Sequence, residues 1–140
     1  MNCYLKNIIL FLVVSILILS CREEIIPPDN FVGRINDPVQ LSERNSYILL
    51  LNADNFTMDL KVPIYFNSVK TRFNVTLVEY QSGYVRISVQ DYNTTERFRF
   101  FIAENVAYHT ELLNGFVPTT LFIYNENFSG KLKIEFRKIF

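Results

Sequence analysis

The chain has 140 residues with 14 basic and 14 acidic side chains, so its formal net charge at neutral pH is zero. Hydrophobic residues make up 49% of it, and 13 phenylalanines and 8 tyrosines supply large apolar side chains. Such a chain is long enough for one domain and can fill a core without a structural metal or a disulfide. No block of like charge occurs, which argues against a protein that binds nucleic acid or a polyanion.

The first twenty residues have the pattern of an export signal. Residues 1–7 are short, polar and carry Lys6, and residues 8–19 are an apolar run that only Ser15 interrupts. A membrane-spanning helix needs ~20 apolar residues, whereas this run is much shorter before Arg22 follows. We therefore expect residues 1–20 to be a signal peptide and not a permanent membrane span.

The apolar run ends in a cysteine. The segment 18–21, Ile-Leu-Ser-Cys, resembles the lipobox of bacterial lipoproteins, in which an aliphatic residue, a tolerant position and a small residue precede the cysteine. The resemblance implies that a signal peptidase cuts before Cys21, that Cys21 carries a diacylglyceryl group, and that the new amino terminus is acylated. Two or three acyl chains give stable attachment to a membrane. The alternative is an ordinary signal peptide with a cysteine by chance.

The other cysteine, Cys3, lies in the segment that would be removed, so the mature chain would form no internal disulfide. Residues 21–30 are then the lipidated cysteine and a charged, proline-containing tether (REEIIPPDN over Arg22–Asn30). The Arg22–Glu24 segment also resembles the surface-export signals of Bacteroidota lipoproteins. That resemblance implies an outer-membrane lipoprotein exposed at the cell surface, and an anchor facing the periplasm is the alternative.

From Phe31 onward apolar and polar residues alternate, which is typical of half-buried strands. The pattern predicts strands over residues 72–80 and 84–91, joined into an antiparallel hairpin by the turn Gln81–Gly83. Further strands are predicted at 32–35, 47–52, 57–66, 96–104, 119–124 and 130–140. Pro63 marks an edge or a bulge because it has no N–H to donate.

Two segments fit more than one structure. Asp37 before Pro38, with Gln40 three residues after the aspartate, has the pattern of a capped helix of one or two turns. Residues 105–115 fit either a helix capped by Asn105 or a strand that enters an Asn-Gly hairpin turn.

The pattern as a whole predicts a single all-β domain over residues 31–140. Seven or eight short strands at spacings of roughly ten residues indicate an antiparallel two-layer β-sandwich of immunoglobulin or fibronectin type. A small β-barrel is the alternative. No tryptophan occurs, so the Cys and Trp hallmarks of true immunoglobulin domains are missing.

The sequence offers little catalytic chemistry. His109 is the only histidine, which excludes a two-histidine zinc site, and no Gly-x-Ser-x-Gly elbow accompanies it. Glu96, Glu104 and Glu111 lack the signature spacing of a paired-carboxylate glycosidase. We therefore predict no catalytic residue, no metal site, no cofactor and no enzymatic activity. A small envelope glycan hydrolase, or a structural subunit of an envelope complex, is the alternative.

One group of residues has the composition of a recognition surface. Tyr80, Tyr84 and Tyr92 are predicted on or near the outward side of the hairpin, with Arg86 between them. Tyrosine and arginine are favoured where proteins are recognised, although these side chains would equally pack along the sheet as cross-strand pairs. The sequence thus predicts a lipid-anchored, non-catalytic binding or accessory module whose partner is an envelope protein or a glycan.

Overall fold

The computed structural model describes residues 33–140, which form six β-strands. These are β1 (Val39–Ser42), β2 (Ser46–Pro63), β3 (Lys70–Gln90), β4 (Glu96–Ile102), β5 (Val106–Asn114) and β6 (Thr120–Lys138). The predicted signal peptide, Cys21 and the tether lie outside the described residues. Within residues 33–140, no helix has the length and apolar character needed to cross a membrane.

All six strands belong to one antiparallel sheet. Its order is β1-β2-β6-β3-β4, and β5 pairs with the first half of β3. Strand β4 pairs with the second half of β3, on the edge that β5 also occupies. The predicted all-β antiparallel class is confirmed. The described strands leave open edges, so the alternative arrangement, in which the sheet closes on itself, is not formed.

Three long strands correct the predicted strand boundaries. Strand β3 continues through Gln81–Gly83, so the predicted hairpin of residues 72–80 and 84–91 is not formed. Strand β2 joins most of the two segments predicted at 47–52 and 57–66, and β6 likewise joins 119–124 to 130–140. The described part of the chain therefore has six strands where seven or eight were predicted.

Bulges explain why the turn signals do not end these strands. The register with β6 shifts between Ala53 and Phe56 in β2 and between Val78 and Tyr84 in β3. Positive φ angles occur at five residues of this region, Asn55, Glu79, Gly83, Asn127 and Gly130. A bulge inserts an extra residue and bends the strand, and glycine and asparagine tolerate the left-handed conformation that this needs. We call residues 53–58, 78–84 and 125–130, which lie side by side in the sheet, the bulge row.

Side chains hold the backbone of the bulge row where the strand-to-strand ladder is interrupted. The Asn55 backbone N–H donates to the Ser129 hydroxyl at 2.8 Å, and the Asn127 N–H donates to the Thr57 hydroxyl at 3.1 Å. The Ser82 hydroxyl in turn donates to the Asn127 carbonyl at 3.0 Å. Backbone groups that leave the strand ladder need other hydrogen-bond partners, and these hydroxyls provide them at the bulges.

The core takes side chains from both halves of the long strands. The inward side chains of β3 are buried in both halves of the strand. They are Phe73, Val75 and Leu77 in the first half and Val85, Ile87 and Val89 in the second. The ring of Phe73 lies 5.0 Å from that of Phe98 and 5.3 Å from that of Phe100, centroid to centroid. Both partners belong to β4, which pairs with the other half of β3. The two halves of the sheet therefore contribute to one core.

The segments with two interpretations are resolved as strands. Pairing of β1 with residues 47–50 of β2 replaces the short helix predicted near Asp37, because strand pairing outweighs a local capping signal. Residues 106–114 form strand β5, but its partner is β3 and not β6, so the predicted Asn-Gly hairpin is wrong. Of the short strand predicted at 32–35, the described residues 33–35 form one parallel bridge, between Ile35 and Asn52.

Candidate functional site

Four aromatic side chains lie on one outward face of the sheet. They are Tyr84 of β3, Phe101 of β4, and Phe122 and Tyr124 of β6. The register sets Arg86 opposite both Tyr124 and Phe101, and Ser88 opposite Phe122. Since directly paired residues point to the same side of a sheet, the four rings share one surface. We call these four residues the aromatic face.

Three rings of the aromatic face contact one another. Tyr84 stacks on Phe101 with 5.3 Å between centroids and an angle of 27° between planes. Tyr124 lies 5.9 Å from Tyr84 on the other side, tilted by 46°. Offset aromatic pairs contribute ~0.5–1.5 kcal/mol beyond their buried area. The side chain of Phe101 is nevertheless 59% exposed, so the cluster presents apolar surface to solvent.

Cations lie over two of these rings. The Lys61 ammonium is 5.5 Å from the centroid of Phe122, and the Arg86 guanidinium is 5.4 Å from that of Tyr124. Attraction between a cation and the electron-rich face of a ring holds such side chains near the sheet surface. The aromatic face is therefore flanked by hydrogen-bond donors at fixed positions.

Glu126 supplies the acceptor of the site. Its carboxylate oxygen Oε2 accepts the Tyr84 hydroxyl at 2.7 Å and the Tyr124 hydroxyl at 3.2 Å. The hydrogen bond to Glu126, together with burial, raises the pKa of Tyr84 to about 12. Tyr84 thus remains a neutral phenol at physiological pH and ties two strands of the face together.

The turn that leads into β4 is fixed by Asp91. This carboxylate is 3% exposed, and it accepts the Arg97 side-chain N–H at 2.6 Å. It also accepts the backbone N–H groups of Asn93 and Thr95 at 2.9 and 3.1 Å. The bond from Arg97 and those two backbone bonds keep the pKa of Asp91 below its usual value. The charged Asp91 therefore sets the path of β4, which carries Phe101 to the aromatic face.

The four predicted recognition residues do not lie together in the structure. Tyr84 and Arg86 lie at the aromatic face. Tyr80 is half-buried at the bulge row, where it packs against the core and its hydroxyl donates to the Gly83 carbonyl at 2.9 Å. Tyr92 is 76% exposed in the turn after β3 and is not one of the clustered rings. The bulge is the physical reason, because it interrupts the alternation that placed Tyr80 beside Tyr84.

Three residues of the aromatic face, Phe101, Phe122 and Tyr124, were not among the predicted recognition residues. The alternation of side chains along β4 places Phe101 on the outward side, so its position could have been predicted from the sequence. Phe122 and Tyr124 are different, because their outward direction follows from the bulge between Phe128 and Asn125. Their proximity to Tyr84 depends on the long-range pairing of β3 with β6, which no local pattern contains.

The three glutamates considered for catalysis lie on different elements. Glu96 begins β4 and binds Arg99 at 2.7 Å, Glu104 lies beyond the end of that strand, and Glu111 is on β5. His109 stacks on Phe100 with 4.5 Å between centroids, and its Nε2 is 3.6 Å from the Glu111 carboxylate. Over residues 33–140, no three His, Cys, Asp or Glu side chains are grouped to hold a metal ion.

One cavity of ≈ 260 Å³ opens beside Phe101. Residues 100–104 and Val106 line it, and Glu104 is its single charged side chain. Glycoside hydrolysis by the usual mechanisms needs two carboxyl groups about 5 to 10 Å apart. The lining of this cavity provides only one.

Comparisons with known proteins give no family. No protein-family model matches the chain, and no curated protein does. Among solved structures, a family 29 carbohydrate-binding module complexed with cellulohexaose is 14% identical, with a TM-score of 0.39, over 71% of this chain and 74% of that chain. A Streptococcus agalactiae Glycosylation Associate Protein complex is 10% identical, with a TM-score of 0.36, over 73% of this chain and 39% of that chain. Accessory secretory protein 1,2 and 3 of Streptococcus pneumoniae is 11% identical, with a TM-score of 0.36, over 74% and 86%. Likenesses this distant assign no function.

Proposed function

We propose that this protein is a lipid-anchored, non-catalytic module of the bacterial cell envelope that binds a glycan on its aromatic face. The observation that carries the proposal is the cluster of Tyr84, Phe101, Phe122 and Tyr124 on one outward surface, flanked by Lys61, Arg86 and Glu126. Phe101 is exposed and the other three rings beside it are half-buried, and an apolar patch of this kind on a surface is a candidate interaction site.

The chemistry of the aromatic face suits a sugar ring. The C–H side of a pyranose is apolar and weakly positive, so it stacks on the negative face of an aromatic ring. Its hydroxyl groups both donate and accept, and here the donors Lys61 and Arg86 and the acceptor Glu126 lie beside the rings. Apolar surface with a few fixed polar groups is the usual composition of a small-molecule site.

We also propose a two-layer arrangement for the sheet, of the immunoglobulin or fibronectin kind predicted from the sequence. The bulge row would be the line along which the long strands bend, since bulges bend strands. The packing of Phe73 against Phe98 and Phe100 supports this, because Phe73 belongs to the first half of β3 whereas the other two rings belong to β4, which pairs with the second half. In this arrangement the aromatic face lies on the outer side of one layer.

The anchor and the location rest on the lipobox segment and remain proposals. We expect Cys21→Ala to abolish incorporation of labelled palmitate in growing cells, because the thiol that would carry the diacylglyceryl group is gone. The control is Cys3→Ala, which removes the other cysteine within the leader and should label like the wild type. Cys21→Ala protein that still incorporates palmitate would contradict the anchor. Protease treatment of intact cells then separates a surface location, where the domain is cleaved, from a periplasmic one.

The glycan site is tested with two truncations on the aromatic face. We expect Phe101→Ala and Phe122→Ala to weaken binding to an array of immobilised envelope and host-type glycans by about tenfold or more, because truncating a central aromatic contact costs ~2 kcal/mol. Tyr92→Ala is the matched control, since it removes an exposed ring outside the aromatic face and should bind as the wild type does. Thermal melting of each variant checks that the fold is retained.

Two outcomes would defeat the glycan proposal. One is wild-type protein that binds no glycan on the array. The other is that Phe101→Ala and Phe122→Ala are both folded and both bind glycan as well as Tyr92→Ala does, because the glycan would then be held elsewhere.

A further inference from the structure

Strand β5 has an open edge. It forms hydrogen bonds with β3 on one side, and no strand of residues 33–140 pairs with its other side. A row of unpaired backbone N–H and C=O groups is a template for pairing with another chain. Whether such an edge is used depends on what its side chains permit.

The other open edges carry features that discourage pairing. Strand β1 is four residues long. The free edge of β4 has Glu96, Arg97 and Arg99 among its seven residues, and the outer part of β2 has Lys61 and ends at Pro63. Short strands, charges and proline are the devices by which proteins protect edges. Strand β5, in contrast, is nine residues long and contains no lysine, arginine or proline.

The sequence of β5 is complementary to itself. When two copies pair antiparallel about Thr110, His109 of one copy lies opposite Glu111 of the other, and this occurs twice by symmetry. The same register places Tyr108 opposite Leu112, whose side chains are 65% and 55% exposed in the single chain. An imidazole can hydrogen-bond to a carboxylate across strands, and aromatic-aliphatic pairs across strands stabilise a sheet.

We propose that two copies of this protein associate through their β5 strands, forming one continuous sheet with a two-fold axis at Thr110. An interface of this kind is isologous, so each complementary pair counts twice. The second copy is favoured over an unrelated strand because a polar pair, His109 with Glu111, and an apolar pair, Tyr108 with Leu112, both match in this register. None of the five residues 108–112 belongs to the aromatic face, so the inference stands or falls independently of glycan binding.

A cysteine at the two-fold axis tests the register. We expect Thr110→Cys in the full chain to give a disulfide-linked dimer in oxidised membranes at several times the yield of Thr95→Cys, an exposed threonine in the turn before β4. Non-reducing gels measure the yield, and wild-type protein gives the background. Equal yields from the two variants would overturn the proposal. So would a cross-linked band whose mass is not twice that of the monomer, because another protein would then occupy the edge.

Charge substitutions test the pairing of side chains. In the Thr110→Cys background, Glu111→Lys places lysine opposite His109 and should reduce the dimer yield several-fold. His109→Lys instead places lysine opposite Glu111 and should preserve the yield, although it introduces the same residue into β5. A loss that is equal in both variants, with both folded by thermal melting, would contradict the register.

Discussion

Gly83→Ala is expected to destabilise the protein by about 3 kcal/mol or more, or to prevent folding, because two costs coincide. A Cβ atom at this position would overlap the backbone carbonyl oxygens of Glu126 and Asn127 in β6, closer than real Cβ atoms approach other atoms. Gly83 also has a φ angle of 77°, which side-chain-bearing residues adopt at a cost of ~1–2 kcal/mol. Overpacking against backbone adds ~1–3 kcal/mol because the backbone has no rotamer to change.

Gly115→Ala separates these two costs. Gly115 has a similar φ angle of 88°, but nothing lies within 4 Å of a Cβ built there. We therefore expect Gly115→Ala to lower the free energy of unfolding by only ~1 kcal/mol, the backbone term alone. Urea unfolding of both variants measures the difference. Equal losses would mean that β6 does not pass close to Gly83 and that the bulge row is wrong.

The bulge row also determines which side chains reach the aromatic face. In the second half of β6 the buried residues have even numbers, such as Leu132 and Ile134, whereas in its first half they have odd numbers, such as Leu121 and Ile123. A shift of one residue turns every later side chain to the opposite face of a sheet. Without the bulge, Phe122 and Tyr124 would point inward, so site and bulge depend on each other.

This dependence explains how far the sequence alone could predict the molecule. Within each half-strand, alternation is local and is kept in the structure, where Phe73, Val85 and Ile134 lie in the core. Alternation could not predict whether Gln81–Gly83 is a turn that joins two strands or a bulge within one strand. Glycine in the left-handed conformation serves both a hairpin turn and a bulge. The choice is made by pairing with β6, more than 40 residues away in the chain.

Only part of the candidate site could be predicted from the sequence, because local alternation does not contain the pairing between distant strands. Tyr84 and Arg86 follow from alternation in a single strand, and both lie at the aromatic face. Phe101 joins them only because β4 pairs with β3, and Tyr124 only because β6 pairs on the other side. A surface that combines three strands is a property of strand order, and strand order depends on long-range contacts that a local pattern does not encode.

Phe73→Ala is expected to lower the free energy of unfolding by ~3–5 kcal/mol, the usual cost of deleting a buried aromatic ring. Phe73 is fully buried, and its ring lies 5.0 Å from those of Phe98 and Phe136 and 5.3 Å from that of Phe100. It is the contact point between the first half of β3 and strand β4. Removing it leaves a cavity between elements that pair with different parts of the sheet.

Phe101→Ala is the matched control in urea unfolding, because it removes the same ring from the exposed side of β4. We expect it to cost less than ~1 kcal/mol, since it loses little beyond its stacking on Tyr84. The two variants should therefore separate stability from binding: Phe73→Ala weakens the fold, and Phe101→Ala weakens glycan binding in a stable protein. If Phe73→Ala is no more costly than Phe101→Ala, the two halves of β3 do not share a core. The bulge row would then no longer account for the position of the aromatic face.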